Sequence, residues 1–141
     1  MNAVMPALTV ADMMTTHLKV LHEDDSINAA DWDMVVGEFR HMAVVDREHR
    51  LVGLISDRDV LRAQGEIPAT VGRLMTRDVH TIPPTMPALD AVEHMLRSKH
   101  GALPVVAPDR TLLGIVTTTD FLELARRALA GHDVHQPHAR A

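Results

Sequence analysis

Two short stretches carry the residues best suited to chemistry. Ser56, Asp57, Arg58 and Asp59 follow the apolar run Leu51-Val52-Gly53-Leu54-Ile55; Thr117, Thr118, Thr119 and Asp120 follow Leu112-Leu113-Gly114-Ile115-Val116. In each, a hydroxyl residue stands three positions before an Asp. Ser56 or Asp57, and Thr117 or Thr118, can cap a helix, because a short side-chain oxygen accepts from the free amides of a first turn. Asp59 and Asp120 then fall within that turn, where the positive end of the helix dipole favours a carboxylate. An ionised carboxylate only accepts hydrogen bonds. It therefore suits a vicinal diol, such as the 2′ and 3′ hydroxyls of a ribose, and repels phosphate. The amides and hydroxyls beside it can hold an anion. A corner with both properties suits a nucleotide. Plain helix capping explains the same residues with no ligand at all; two copies in register weigh against it.

The elements that must position these corners also occur twice, at a constant offset of 61 residues. Val10-Ala11-Asp12-Met13-Met14-Thr15 and Val71-Gly72-Arg73-Leu74-Met75-Thr76 read as short helical lead-ins stopped by Thr. A brief strand is expected next, over Leu18–Leu21 and Val79–Ile82. Ser26 can cap the following helix in the first copy, and Pro87 sits where a first-turn proline is tolerated in the second. Ile27, Ala30, Met34 and Val35 make one apolar helix face, which Ala88, Ala91, Met95 and Leu96 repeat. The strands Met42–Val45 and Leu103–Val106 come next, each followed by a polar turn, and Pro108-Asp109 is a good turn starter. The apolar run and its helix close each copy. The fold class is therefore α/β, two repeats of strand-helix-strand-strand-helix, with residues 64–69 as linker.

Composition narrows the function. At 141 residues, 46% apolar and 23% charged, the chain is one modest domain or two very small ones. A net charge of −5, two Phe, one Trp and no Tyr leave neither a basic footprint nor stacking platforms, so no nucleic acid is expected as partner. The absence of Cys removes thiol nucleophiles, thiolate metal sites and disulfides. Residues 1–10 have no basic region or long apolar core, and no stretch approaches the roughly 18 apolar residues of a membrane span. A soluble, cytoplasmic protein is expected. There is no Gly-rich phosphate loop and no His-Glu-x-x-His zinc helix. Asp57 and Asp59, two apart, point to different faces of a helix and make no ready acid/base pair, so the chain does not read as an enzyme. His132, His135 and His138 have metal-like spacing, but they follow a helix-stopping Gly131 and bracket Pro137; a tail with no metal role is expected.

The lead-ins "DMMT" and "RLMT", the strands "HMAVV" (His41–Val45) and "ALPVV" (Ala102–Val106), and the two Gly-x-x-Ser/Thr-x-x-Asp corners together resemble a tandem pair of cystathionine-β-synthase (CBS) domains, a Bateman module. The resemblance covers about residues 10 to 130. It implies repeats over 1–65 and 66–131 packed about a pseudo-twofold axis, with 132–141 as a flexible tail. It further implies a stand-alone regulatory module that needs no cofactor, binds AMP, ADP, ATP or S-adenosylmethionine in clefts between the repeats, and signals to an unknown partner protein. By position, Asp59 and Asp120 would hold ribose hydroxyls, while Ser56, Thr117, Arg58 and Thr119 would lie near phosphates. Val20, Leu21, Thr81 and Ile82 would build the adenine slot, supplied across the pseudo-axis. Arg40 and His41 match positions that carry basic residues aimed at phosphate, whereas their counterparts Gly101 and Ala102 carry none. The strand proline usual in the family is present as Pro104 but replaced by Ala43, which restores a backbone donor.

Other readings of these residues stand beside the first. Val20, Leu21 and Ile82 are core positions with or without a ligand, Arg40 fits a solvated helix end, and Arg58 can pair with Asp57 or Glu66. A different class of function, a structural or dimerisation module with vestigial clefts, fits the same chain. In the last helix, Phe121, Leu122, Leu124, Ala125, Ala128 and Leu129 span about 160° of arc, wider than one core contact requires. A homodimer is therefore expected.

Overall fold

The structure, a computed structural model, describes residues 7–37, 39–63 and 69–132. In chain order the elements are α1 (Val10–Met13), α2 (Ile27–Gly37), β1 (His41–Val45), β2 (Leu51–Ser56), α3 (Asp57–Arg62), α4 (Val71–Leu74), α5 (Ala88–Ser98), β3 (Ala102–Val106), β4 (Leu112–Thr117) and α6 (Thr118–Leu129). The mixed α/β order repeats itself after residue 70. The linker proposed over 64–69 and the tail lie, except for Ala69 and His132, outside the described residues.

Each repeat contributes one two-stranded sheet, β1 with β2 and β3 with β4. β1 and β2 run antiparallel with His41 opposite Ser56 and Ala43 opposite Leu54, and a bulge falls between Val44 and Val45. Asp46 shapes their turn: one carboxylate oxygen accepts from the Glu48 and Arg50 amides, both at 2.9 Å. The expected strands over Leu18–Leu21 and Val79–Ile82 do not form. Only their last residues join a sheet, Leu21 bridging Val44 and Ile82 bridging Val105 in parallel. Leu21 donates to the Ala43 carbonyl and its own carbonyl accepts from Val45, both at 2.9 Å. A single bridged residue satisfies its own backbone groups without extending the ladder.

The helices start where the sequence places them. Ser26 Oγ accepts from the Ala29 amide at 3.1 Å ahead of α2, whereas Pro87, expected in the first turn, is the N-cap of α5, one position before it. Ile27, Ala30 and Met34, and in the second copy Ala88, Ala91 and Met95, face the core. Val35 and Leu96, assigned to the same faces, are 70% and 76% exposed. At about 100° per residue they lie roughly 80° from Ile27 and Ala88, on the far side from the other two positions, and so leave the buried stripe.

Backbone contacts divide the chain into two compact units that do not follow the repeats. One takes the lead-in up to Leu18, Thr81–Ala107 and the chain from Leu113 onward; the other takes Lys19–His80 and Pro108–Leu112. Thus α1 packs its Val10 and Met13 with Ala88, Ala91, Leu103 and Val116, while Val71 of α4 joins Leu21, Met34, Val44 and Ile55.

The same exchange explains the glycine in each apolar run. Thr76 pairs back onto Leu54 through two backbone bonds of 2.8 and 2.9 Å, and Thr15 onto Ile115 through two of 2.9 and 3.0 Å. A Cβ on Gly53 would lie 2.5 Å from Met75 Sδ and 3.0 Å from the Thr76 carbonyl oxygen; one on Gly114 would lie 2.8 Å from Met14 Sδ and 2.9 Å from the Thr15 oxygen. The lead-in crosses the strand too closely for any side chain.

Candidate functional site

Of the alternative caps, the structure selects Ser56 and Thr117. Ser56 has extended backbone and its Oγ accepts from the Asp59 amide at 3.2 Å, which starts α3. Asp59 answers: its Oδ2 accepts from the Ser56 amide at 2.9 Å and from Ser56 Oγ at 3.0 Å. This reciprocal arrangement is a capping box. It fixes the carboxylate through one oxygen. The other, Oδ1, has Arg62 Nη1 at 3.7 Å, and Arg62 is 76% exposed against 17% for the Asp59 side chain. An ion pair with so exposed a partner contributes little.

Arg40 and His41 stand beside this corner. The Arg40 carbonyl accepts from the Asp57 amide at 2.9 Å, and His41 is the strand partner of Ser56. Asp59 is the Asp that lies near this basic pair within its compact unit. Burial lowers the His41 pKa below its ordinary value; the carboxylates of Asp57 and Asp59 oppose that shift, and the Arg40 charge adds to it. Desolvation wins because it penalises the charged imidazolium directly. Arg40, Asp57 and Arg58 are exposed, and Ser56 and His41 half-buried.

The second corner has the same box but a different setting. Asp120 Oδ2 accepts from the Thr117 amide at 2.8 Å and from Thr117 Oγ1 at 3.3 Å. Its Oδ1 accepts from Thr15 Oγ1 at 3.2 Å, and Asp120 is 0% exposed. The Thr118 amide donates to the Gly101 carbonyl at 3.2 Å, as Asp57 does to Arg40. Thr119 is exposed. Sequence reasoning passed over Thr15, although its position in the "DMMT" lead-in, in register with Thr76, was the available signal.

Of the residues expected to form the adenine slot, Val20 and Leu21 belong to the compact unit of Ser56–Asp59, and Thr81 and Ile82 to that of Thr117–Asp120. Leu21 and Ile82 are core side chains; Val20 and Thr81 are half-buried. Glu66, one expected partner of Arg58, and the tail residues His135 and His138 lie outside the described residues.

The family model for the CBS domain matches residues 10–66 and again 71–127. The chain belongs to the CBS-domain family and carries two copies of the domain. Among solved structures it is similar to the CBS domain pair of protein MJ0100 in complex with 5′-methylthioadenosine and S-adenosyl-L-methionine, with TM-score 0.80, 28% identity and coverage of 87% of this chain and 99% of that one. It is also similar to CBSX2 in complex with AMP, with TM-score 0.79, 29% identity and coverage of 86% and 98%. Homoserine O-acetyltransferase of Methanococcoides burtonii is 34% identical over 116 residues, which are 82% of this chain but 24% of that protein. The chain thus spans about a quarter of that relative's length. Among the described residues, no helix is long and apolar enough to cross a membrane.

Proposed function

We propose that the chain is a regulatory, non-catalytic module that senses adenosine-containing molecules and passes the bound state to a partner protein. The Asp59 carboxylate carries this reading. The capping box commits Oδ2 and holds the group rigid, while Oδ1 keeps acceptor capacity for a ribose diol. The ligands named for the two similar structures support it, because AMP, S-adenosylmethionine and 5′-methylthioadenosine have only the adenosine moiety in common. Adenine and ribose are thus the shared features, and the 5′ substituent distinguishes the ligands; at the second corner the carboxylate expected to hold a ribose, Asp120, is buried and already accepts from Thr117 and Thr15. Arg40, His41, Arg58 and Ser56 suit a phosphate at the first corner; Thr117 and Thr119 suit a neutral or weakly charged group at the second. We read 1–65 and 66–131 as the repeats, 132–141 as a tail outside both, and the cytoplasm as the working compartment.

A panel of AMP, ADP, ATP, S-adenosylmethionine and 5′-methylthioadenosine, scored by thermal shift and calorimetry, tests this reading. A ligand at a hundredfold its dissociation constant raises stability by about 2.7 kcal/mol. No shift from any of them at millimolar concentration removes the sensing role. It would leave the second reading, an interaction module whose dimer is the working part. That reading draws on the exposed Trp32, Val35 and Val36 of α2 and Leu89 and Leu96 of α5. A dimeric mass by light scattering is expected under both readings, and a monomer at micromolar concentration would exclude the second.

A further inference from the structure

A side-chain cluster outside both corners lies where α5 ends. The helix stops at Lys99, whose left-handed backbone (φ 62°, ψ 21°) turns the chain back. Ser98 fastens the turn: its hydroxyl donates to the His94 carbonyl at 2.7 Å and accepts from the His100 amide at 3.3 Å. His100 is thereby set against His94. Their Nε2 and Nδ1 atoms are 3.1 Å apart, with ring centroids at 5.2 Å and planes tilted by 43°. On an uninterrupted helix, residues six apart sit about 240° round the axis from each other and do not meet. The turn at Lys99 creates the pair.

We propose that His94 and His100 form a two-imidazole chelate for a borderline divalent transition ion such as Zn(II), Ni(II) or Cu(II), with water completing its shell. Imidazole nitrogens bind zinc at about 2.0–2.1 Å, so two of them on one tetrahedral ion stand about 3.4 Å apart. On a square-planar ion, adjacent nitrogens at a similar bond length stand about 2.9 Å apart. The 3.1 Å separation falls between these values, so the nitrogens already stand at chelating distance, and each ring has to turn its lone pair from the other ring toward the ion. In the metal-free pair, one facing nitrogen carries a proton and donates it to the other. On binding, that proton moves to the far nitrogen of its own ring. Both neutral rings then present a bare lone pair, His94 protonated on Nδ1 and His100 on Nε2. Mg(II) and Ca(II) prefer oxygen ligands and are excluded by chemistry. Among the described residues, no group of three or more His, Cys, Asp or Glu is placed to share an ion. The chelate is therefore bidentate, with open positions, and weaker than a closed structural site.

The test uses the full chain with the tail imidazoles removed (H132A, H135A and H138A), so that they cannot compete. Zn(II) and Ni(II) are titrated against a colorimetric chelator, with imidazole nitrogen resonances followed in parallel. One ion per chain is expected, with perturbation confined to His94 and His100, and at least tenfold weaker binding after His94→Ala or His100→Ala. His100 is exposed, so His100→Ala is expected to melt like its parent and keeps the test decisive even if His94→Ala folds poorly. Affinity in His100→Ala within twofold of the parent, no binding by the parent below millimolar ion, or perturbation centred on other imidazoles would each overturn the proposal.

Discussion

At the start of α3, the Asp59 carboxylate ties one oxygen to Ser56 and leaves the other beside an exposed arginine. At the start of α6, the equivalent carboxylate of Asp120 has both oxygens occupied, one by Thr117 and the other by Thr15, and no exposed surface. The same hydroxyl–Asp spacing therefore gives an available acceptor in one unit and an internal post in the other. What differs is the third element. Thr15 is half-buried and reaches its Asp; its counterpart Thr76 is exposed. The largest expected effect follows from this difference. Asp120→Ala leaves the Thr15 hydroxyl and the Thr117 amide without their acceptor, each such loss costing about 1–3 kcal/mol. A total loss of roughly 2–6 kcal/mol is expected in urea melts. Asp59→Ala should leave only the half-buried Ser56 amide without its acceptor, about 1 kcal/mol, and instead weaken nucleotide binding. Equal destabilisation by the two substitutions would erase the distinction between the corners.

The basic pair sharpens the comparison from the ligand side. Arg40 is exposed and joined to the Asp59 corner through its carbonyl, while Gly101 makes the same backbone bond at the other corner and offers no charge. A guanidinium grips phosphate with two parallel donors. Exposure screens the gain, so Arg40→Ala should weaken AMP by about tenfold and leave adenosine unchanged. Calorimetric titration with both ligands reads this directly. Equal losses for the two would mean that Arg40 supports the fold and does not meet phosphate.

A smaller effect isolates Thr15. Thr15→Val keeps the shape and deletes the hydroxyl that meets Asp120, for a loss of about 1 kcal/mol. Thr76→Val, with no such bond, should stay within about 0.5 kcal/mol of wild type. A loss in Thr76→Val matching that in Thr15→Val would show that the hydroxyl contact is not what separates the corners.

Much of this arrangement was legible in the residues. The 61-residue offset gave the repeat, and caps and apolar spacing located the long helices, because those signals are local. The glycine in each strand was visible, but not its cause, which is a lead-in passing over it from far along the chain. Leu21 and Ile82 looked like the ends of strands because apolar runs do not reveal how many residues will find a partner. Val35 and Leu96 looked buried because apolar type does not fix which side of a stripe a residue takes. The burial of Asp120 was hidden for the same reason: Thr15 and Thr76 are the same residue at the same position of each repeat, and only packing separates them. The His94–His100 pair depends on one left-handed residue that is not glycine, a conformation sequence rarely announces.

The weakest expected effect concerns His41 and works in two directions at once. Burial holds its pKa below 6.5 despite the carboxylates of Asp57 and Asp59. The unfolded chain therefore binds the proton first as pH falls. The stability that the neutral His41 contributes is complete above about pH 6.5 and is lost as pH drops through the lowered folded value. A single group changes stability by no more than about 1.4 kcal/mol per pH unit, so the effect is modest. A phosphate beside the ring favours the imidazolium, so bound AMP should raise the His41 pKa, and His41 should contribute more to AMP affinity over the same window in which the free protein loses stability. Protonation of the phosphate itself, near pH ~6, opposes the gain. The useful quantity is thus the difference between wild type and His41→Asn, measured for AMP and adenosine from pH 5 to 7.5. That difference should grow for AMP on acidification and stay flat for adenosine, while His41→Asn loses the stability change over the same range. A pH-independent difference for AMP would place the imidazole away from the phosphate, and the first corner would then owe its charge preference to Arg40 and Arg58.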